Sequence, residues 1–456
     1  MAAGAAAAAA GSRWWLLGID GDALGFDVWY YVLQVRSLQA GADLFHDDSW
    51  AFVVLRAAAW LCGDVVQGNE LVATVCSALV AAALALAGHR LGGRGGALAV
   101  TAVAVASTGH MALSVEFLKN AVGAVPLAVV AALVVAPEQP SRRRWGLAVA
   151  AAVVAVMVHK LAGALALGWL LVQGTATMAG HSARAASALL VGGGVAAVTV
   201  ALVGVVGLTD LERVVSIEGP LVRARRLGEL GVWEQVEMVG VHLAPLAALA
   251  AWWRGLAPSV ALALGAVAVV CAAPGLPFDF DAVAWRLLCM GFVPLALLVA
   301  ALRPSVPLAA LLVACGLVAT VTTVDARRRR TPDYQGWQSI LPVVRAEVPV
   351  GGRLVAHRGL CGFLWAEGGR RCENFEPQGD LGSVWRVTYG FSEAALARYA
   401  KAVPLRPGYL LVHEPDWQRF RAEQGDRFPL ARHPRNPWRP RPAYVKIADL
   451  PAATSP

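Results

Sequence analysis

The first 325 residues are built from apolar runs of about 15–22 residues, mostly Ala, Val, Leu and Gly, separated by short polar joints. At 1.5 Å rise per residue such a run, wound as a helix, crosses a hydrocarbon core about 30 Å thick. Backbone polar groups cannot be left open in hydrocarbon, so runs of this kind leave little choice but membrane-spanning helices. The runs fall at about 2–18 (weak, almost pure Ala), 69–88, 96–112, 119–136, 145–158, 161–178, 186–208, 239–253, 258–274, 284–302 and 305–324. They predict an α-helical polytopic membrane protein with about ten or eleven spans. The stretch 50–62 is apolar but short and carries Arg56, which suits a helix lying on the membrane or dipping into it. No basic start followed by a cleavage site marks a secretory signal.

Composition changes near residue 326. Arg, Asp, Glu, Pro and Trp become frequent and apolar runs shrink to about four to six residues, so residues 326–456 are expected to form a water-soluble domain. There RLVAH, RRCENF, GYLLVHE and AYVKIADL read as strands, whereas SEAALARYAKAV and EPDWQRFRAEQG read as helices. The alternation predicts a small α/β domain. The division is thus 1–325, transmembrane, with a first long loop at 20–68, and 326–456, soluble. Cys361 and Cys372 lie in the soluble part; a disulfide between them is expected if it faces an oxidising compartment. The other five Cys lie in or near apolar segments and read as packing residues. The net charge of +8 does not point to nucleic acid, because much of it sits in short joints between spans.

Those joints give the orientation. Arg90 and Arg94, Arg142 to Arg144, Arg184, Arg254 and Arg303 fall in alternate short loops whose only acid is Glu138. Short basic loops mark the cytoplasmic side. The longer, acid-rich loops at 20–68, 110–118, 209–238 and 275–284 then face outward, and an odd number of spans places the C-terminal domain outside the cell membrane as well. Arg13 and Arg327 to Arg330 run against this bias.

Ionisable residues gather at the outward ends of the spans: Asp20, Asp22 and Asp27; Glu116 and Lys119 with Asn120; His159 and Lys160; Asp279, Asp281 and Arg286. Charge at membrane depth is costly, so such groups face a cavity or a partner, and four groups on one side predict a shared polar cavity. Simpler readings stand beside it. Asp20 and Asp22 suit a solvated loop, and Asp43, Asp47 and Asp48 suit turns. Glu116 and Lys119 suit a local ion pair, and His159–Lys160 a hydrogen-bonded His beside a snorkelling Lys. Arg286 suits a span end. Arg223, Arg225 and Arg226, before GELGVWEQVEMV, fit either an interfacial helix or a solvated loop. The basic, Pro-rich RHPRNPWRPRP fits a surface loop near anionic lipid or glycan, or plain solvation.

GFDVWYYVLQVRSLQAGADLF, EFLKN and HKLAGAL, in this layout, resemble the GT-C superfamily of membrane glycosyltransferases. That group includes the protein mannosyltransferases, the aminoarabinose transferases of lipid A and the oligosaccharyltransferases. Asp27 and Tyr30 match the acid and the following aromatic of the family's first loop. Val28 stands where many relatives carry a second acid, and the first span is shorter than theirs. RLVAHRGLCGFLWAEGGRRCENF resembles the C-terminal outer domains of bacterial members. The resemblance implies transfer of a sugar from a polyprenyl-phosphate-linked donor to a glycan, lipid or protein acceptor. Asp27 would be the base; Lys119, Lys160 and Arg286 would bind phosphate. Tyr30, Glu116, Asn120 and His159 complete the substrate site, with His159 either a further phosphate donor or a metal ligand with Glu116. No cofactor is expected to be required, a divalent metal being left open. Expected partners are the lipid-linked donor, membrane lipid and the acceptor. The competing functions are a lipid or glycan transporter, disfavoured by the absence of a clear repeat, and a non-catalytic assembly protein.

Overall fold

The computed structural model describes residues 1–17, 27–41, 49–136, 140–179, 231–272, 281–329, 334–348, 352–356, 358–374, 384–388, 409–413 and 444–446. The expected span at 186–208, Arg184, Glu138, the three Arg of 223–226, the two helices expected at 392–403 and 414–425, and RHPRNPWRPRP lie outside them. The chain forms two compact units: Met1–Gly21 with His46–Arg330, and Asp22–Phe45 with Thr331–Pro456.

The larger unit is a helical bundle. Its elements are α1 (Ala2–Leu17), α3 (Ala51–Cys62), α4 (Val65–Ala106), α5 (Thr108–Val115), α6 (Leu118–Val134), α7 (Arg142–Val158), α8 (Lys160–Ala179), α9 (Val232–Trp253), α10 (Pro258–Ala272), α11 (Asp281–Met290), α12 (Phe292–Ala301) and α13 (Val306–Arg329). Among the described residues four helices are long and apolar enough to cross a membrane (α4, α8, α9 and α13), and shorter apolar helices accompany them. With 42 residues, α4 would be about twice the membrane thickness if straight. It folds back on itself instead: Gly92 (φ −132°, ψ 18°) and Gly93 (φ 60°, ψ −145°) break it into two arms. The φ of Gly93 lies where a Cβ is strained, which is why the reversal falls on the Gly-Gly pair.

Small residues point inward and large ones outward. On α7 the buried residues are Ala148, Ala152, Ala155 and Val158, while Leu147, Val149, Val153, Val154, Val156 and Met157 are exposed. On α9, Val241, Ala244, Ala248 and Ala251 are buried and Leu243, Leu246 and Leu249 exposed. A water-soluble bundle would reverse this. Lipid tails are as apolar as Leu, so helices gain by close packing over small side chains and leave the bulky ones to the lipid.

One expectation needs correction. The apolar run 96–112 is not one helix: α4 ends at Ala106, Ser107 leaves helical geometry (φ −55°, ψ 121°), and α5 starts anew. Ser107 is the cause, because its Oγ accepts from the His110 N–H at 2.9 Å and caps α5. Hydropathy does not see a cap.

The smaller unit combines α2 (Val28–Gln39), α14 (Tyr334–Glu347), α15 (Arg358–Gly368) and a five-stranded sheet. The strands are β1 (Arg353–Ala356), β2 (Cys372–Asn374), β3 (Val384–Thr388), β4 (Tyr409–His413) and β5 (Tyr444–Lys446), in the order β2-β1-β3-β4-β5. All neighbours are parallel except β4 and β5, with Leu354 opposite Cys372 and Trp385, and Val412 opposite Val445. Parallel β1 and β2 need a crossover, and α15 supplies it. This confirms an α/β domain, although β3 (VWRVT) and α15 were not among the predicted elements.

Helix α2 packs on α15. Trp29 meets Phe363 edge-on at 5.1 Å, Trp337 lies 5.5 Å from the same ring, and Arg36 bonds Glu367 at 3.1 Å and the Ala366 carbonyl at 2.8 Å. Cys361 and Cys372 form a disulfide joining α15 to β2, their Cα atoms 5.2 Å apart.

Two outcomes follow. Ala152→Leu should lower the thermal midpoint of the purified protein, through an overpacking cost of about 1–3 kcal/mol, while Val153→Leu on the lipid side leaves it unchanged. Cys361→Ser should make α15 and β2 more sensitive to protease, as loss of the loop constraint is worth about 3 kcal/mol.

Candidate functional site

The candidate residues of the bundle lie at helix joints. Glu116 is the C-cap of α5 and Phe117 the N-cap of α6, so the chain turns through two residues and delivers Lys119 and Asn120 on the first turn of α6. Asn120 is buried (1% exposed) and its Nδ2 has no partner, while Glu116 and Lys119 are half-buried. His159 is the C-cap of α7 and Lys160 opens α8, a joint of the same kind.

Three contacts bring these joints together. A Cβ on Gly123, one turn after Lys119, would come within 2.9 Å of the His159 Cβ, so the missing side chain is what lets His159 lie against α6. The Lys119 Nζ stands 5.4 Å from the centre of the Phe52 ring on α3. The Arg286 guanidinium, on α11, stands 4.9 Å from the centre of the Phe117 ring, and its buried Nε has no partner. Both are cation–π arrangements, which hold a charge over an aromatic face without neutralising it. The start of α3 is tied to the end of α7, because Ser49 Oγ donates to the Val158 carbonyl and the Trp50 N–H donates to the Met157 carbonyl at 3.1 Å.

Glu116, Lys119, Asn120, His159 and Arg286 thus occupy one meeting point of α3, α5, α6, α7 and α11. Lys160 is exposed beside His159. Asp27 and Tyr30 belong to the other unit: Asp27 is the buried N-cap of α2, its carbonyl accepting from the Tyr30 and Tyr31 N–H groups at 3.1 and 3.4 Å, and the Tyr30 ring lies 5.2 Å from that of Tyr31. Asp20, Asp22, Asp43, Asp47, Asp48 and Asp279 lie outside the described residues, as does the side chain of Asp281.

The sequence reading passes over a second polar layer. Arg13 is fully buried, donating to Ser12 Oγ at 3.0 Å and to the carbonyls of Val105 and Ala104 at 3.2 and 3.5 Å. His110 Nδ1 lies 2.9 Å from the same Ala104 oxygen, and its ring stacks on Phe292 at 4.6 Å. These groups serve the last carbonyls of α4, where a helix C-terminus carries partial negative charge. Across the break, Glu237 accepts from Ser107 Oγ and the Thr108 N–H at 2.5 Å, from Thr108 Oγ1 at 2.6 Å and from the Gly109 N–H at 3.2 Å. A carboxylate therefore serves the N-terminus of α5. The readable signal was Ser-Thr-Gly at 107–109 inside an apolar run. A third polar group, Asn69, Glu70 and Thr74, opens α4; the tripeptide NEL at the start of a span was its trace.

Among the described residues no three His, Cys, Asp or Glu side chains come together as a metal site requires. His159 with Glu116 would supply at most two donors, and Val28 follows Asp27.

No family model and no curated protein matches the sequence. Solved structures do match. The ArnT of Cupriavidus metallidurans bound to undecaprenyl phosphate superposes with a TM-score of 0.57 at 13% identity, over 99% of this chain and 98% of that one. The same protein in its apo state gives 0.56 at 14% identity, over 97% and 96%. An Archaeoglobus fulgidus oligosaccharyltransferase, in complex with Zn and sulfate, gives 0.53 at 12% identity, over 90% of this chain and 68% of that one. The likeness to ArnT runs nearly end to end. The chain therefore shares the fold of these solved structures, with a helical bundle and an α/β unit.

Proposed function

We propose that this protein is a glycosyltransferase that moves a sugar from a polyprenyl-phosphate-linked donor to a glycan, lipid or protein acceptor at the outer face of the cell membrane. The observation that carries the reading is the convergence of Lys119, His159 and Arg286 at one set of helix joints, in a fold whose solved counterpart holds undecaprenyl phosphate. A cation over an aromatic ring keeps its charge for an incoming anion.

In the proposed reaction the phosphate of the lipid sits among Lys119, Lys160 and Arg286, with Asn120 and His159 as further donors. The Asp27 carboxylate takes the proton of the acceptor hydroxyl. The acceptor oxygen forms a bond to the anomeric carbon as the bond from that carbon to the phosphate oxygen breaks. The electron pair leaves with the polyprenyl phosphate, whose growing charge the cations stabilise. Glu116 and Tyr30 complete the sugar and phosphate contacts. The Cys361–Cys372 disulfide supports an oxidising, extracytoplasmic side for the C-terminal domain, and the Arg-rich joints support the same orientation.

Lys119→Ala and Arg286→Ala, in detergent-purified protein, should each weaken undecaprenyl phosphate binding by about tenfold or more, the worth of a charge-assisted contact. Asp27→Asn should keep that binding and lower glycan transfer in membranes by about 100-fold or more. Unchanged glycan product in both Asp27→Asn and Lys160→Ala membranes would overturn the reading.

A further inference from the structure

Polar side chains inside the bundle have partners as a rule. Thr101, Thr175, Thr177, Thr320 and Thr322 each return their hydroxyl to the carbonyl four residues back, at 2.6–2.9 Å. Ser77 on α4 pairs with Ser114 on α5 at 3.0 Å. Gln173 bonds Trp169 and the Val134 carbonyl. Thr323 and Asn120 each keep one open buried atom, and the first turns of α4 depart furthest, with three such side chains within two turns. Asn69 is 4% exposed, yet neither its Oδ1 nor its Nδ2 has a partner; Thr74 is 9% exposed and its Oγ1 makes no bond; one carboxyl oxygen of Glu70 is buried and equally open. An amide buried without a partner is expensive, and rotation of Thr74 to its own helix would have satisfied it without further change. Such a group is kept for something that binds there.

The position narrows what binds. Glu70 and Thr74 are four apart on one helical face, and Asn69 adjoins them. The three span about 7.5 Å of helix, roughly the breadth of one sugar ring. Next to Asn69, Gly68 lets α3 press on α4, since a Cβ there would come within 2.6 Å of the Ala59 Cα. Two turns earlier on α3, Phe52 carries the Lys119 ammonium. One short helix therefore borders both the phosphate-binding joint and the α4 strip. The strip itself holds an amide, a hydroxyl and a carboxyl group and no cation. That set donates and accepts hydrogen bonds in turn, which matches the hydroxyls of a neutral sugar and not a phosphate.

We infer that Asn69, Glu70 and Thr74 form the subsite for the hydroxyls of a sugar ring, and that Asn69 is a specificity-determining residue. The inference rests on the glycosyltransferase reading but has its own test. Asn69→Leu and Thr74→Val are examined in the detergent-purified full chain by thermal shift. The probes are undecaprenyl phosphate, undecaprenyl-phosphoryl hexose, undecaprenyl-phosphoryl pentose and free maltotriose. In the wild type, at least one sugar-bearing lipid should stabilise more than the bare lipid phosphate. Asn69→Leu should leave the ligand-free midpoint unchanged or raised and keep the response to undecaprenyl phosphate. It should weaken the sugar-bearing lipid by about tenfold or more; Thr74→Val should act in the same direction by about threefold. Loss of a maltotriose response with the lipid responses intact assigns the hydroxyls to the acceptor instead of the donor. A fall in the ligand-free midpoint of Asn69→Leu marks the amide as structural and overturns the inference. Retention of both the sugar-lipid and the maltotriose responses overturns it too, and so does a wild type that binds every sugar-bearing lipid no better than the bare one. If Lys119→Ala leaves undecaprenyl phosphate binding intact, the failure belongs to the proposed function and not to this subsite.

Discussion

Everything in the bundle depends on how helix ends are satisfied where lipid offers no hydrogen bonds. Each helix leaves carbonyls open at one end and N–H groups at the other, and in a membrane these need protein partners. Arg90 reaches the Ala132 carbonyl, Gln173 the Val134 carbonyl, Arg254 the Leu302 carbonyl, and Ser49 the Val158 carbonyl. Arg13 and His110 serve the end of α4, and Glu237 the start of α5. The polar side chains that most attract a functional reading in such a sequence are therefore often caps.

That account sharpens the candidate site by subtraction. Beside the caps, Lys119 and Arg286 lie over aromatic rings, and among the described residues Asn69, Thr74, Asn120 and Thr323 are buried with a side-chain atom that makes no bond. The first pair suits an anion and the second set suits hydroxyls. The proposed transfer from a lipid-linked sugar needs both, and α3 borders both regions through Phe52 and Ala59. The break at Ser107 contributes as well, because α5 runs from the Glu237 contact directly to Glu116 and Phe117.

Much of this was legible and some was not. EFLKN and HKLAGAL stood out because charge at the end of an apolar run is costly, and both fall at joints that meet near Gly123. Arg13 read as a misfit to the charge bias; it is a cap for carbonyls about ninety residues away, a distance at which sequence gives no cue. Ser107 was hidden inside an apolar run because hydropathy averages over a cap. Asn69 was hidden because its importance lies in the lack of a bond. In the smaller unit, VWRVT is too short and too polar to announce a strand, yet β3 lies between β1 and β4.

The sequence alone pointed to membrane helices in the apolar runs of the first 325 residues, and the described runs are helical, because hydrocarbon leaves a backbone hardly any other way to satisfy itself and long apolar runs are visible to a simple average. It also marked four of the five strands of the smaller unit. Only the tertiary structure decided which polar groups pair, and that α2, with Asp27 and Tyr30, belongs to the same compact unit as α15 and the sheet. Pairing depends on which surfaces close packing brings within about 3 Å, and that is a property of the folded whole that no local window of residues carries.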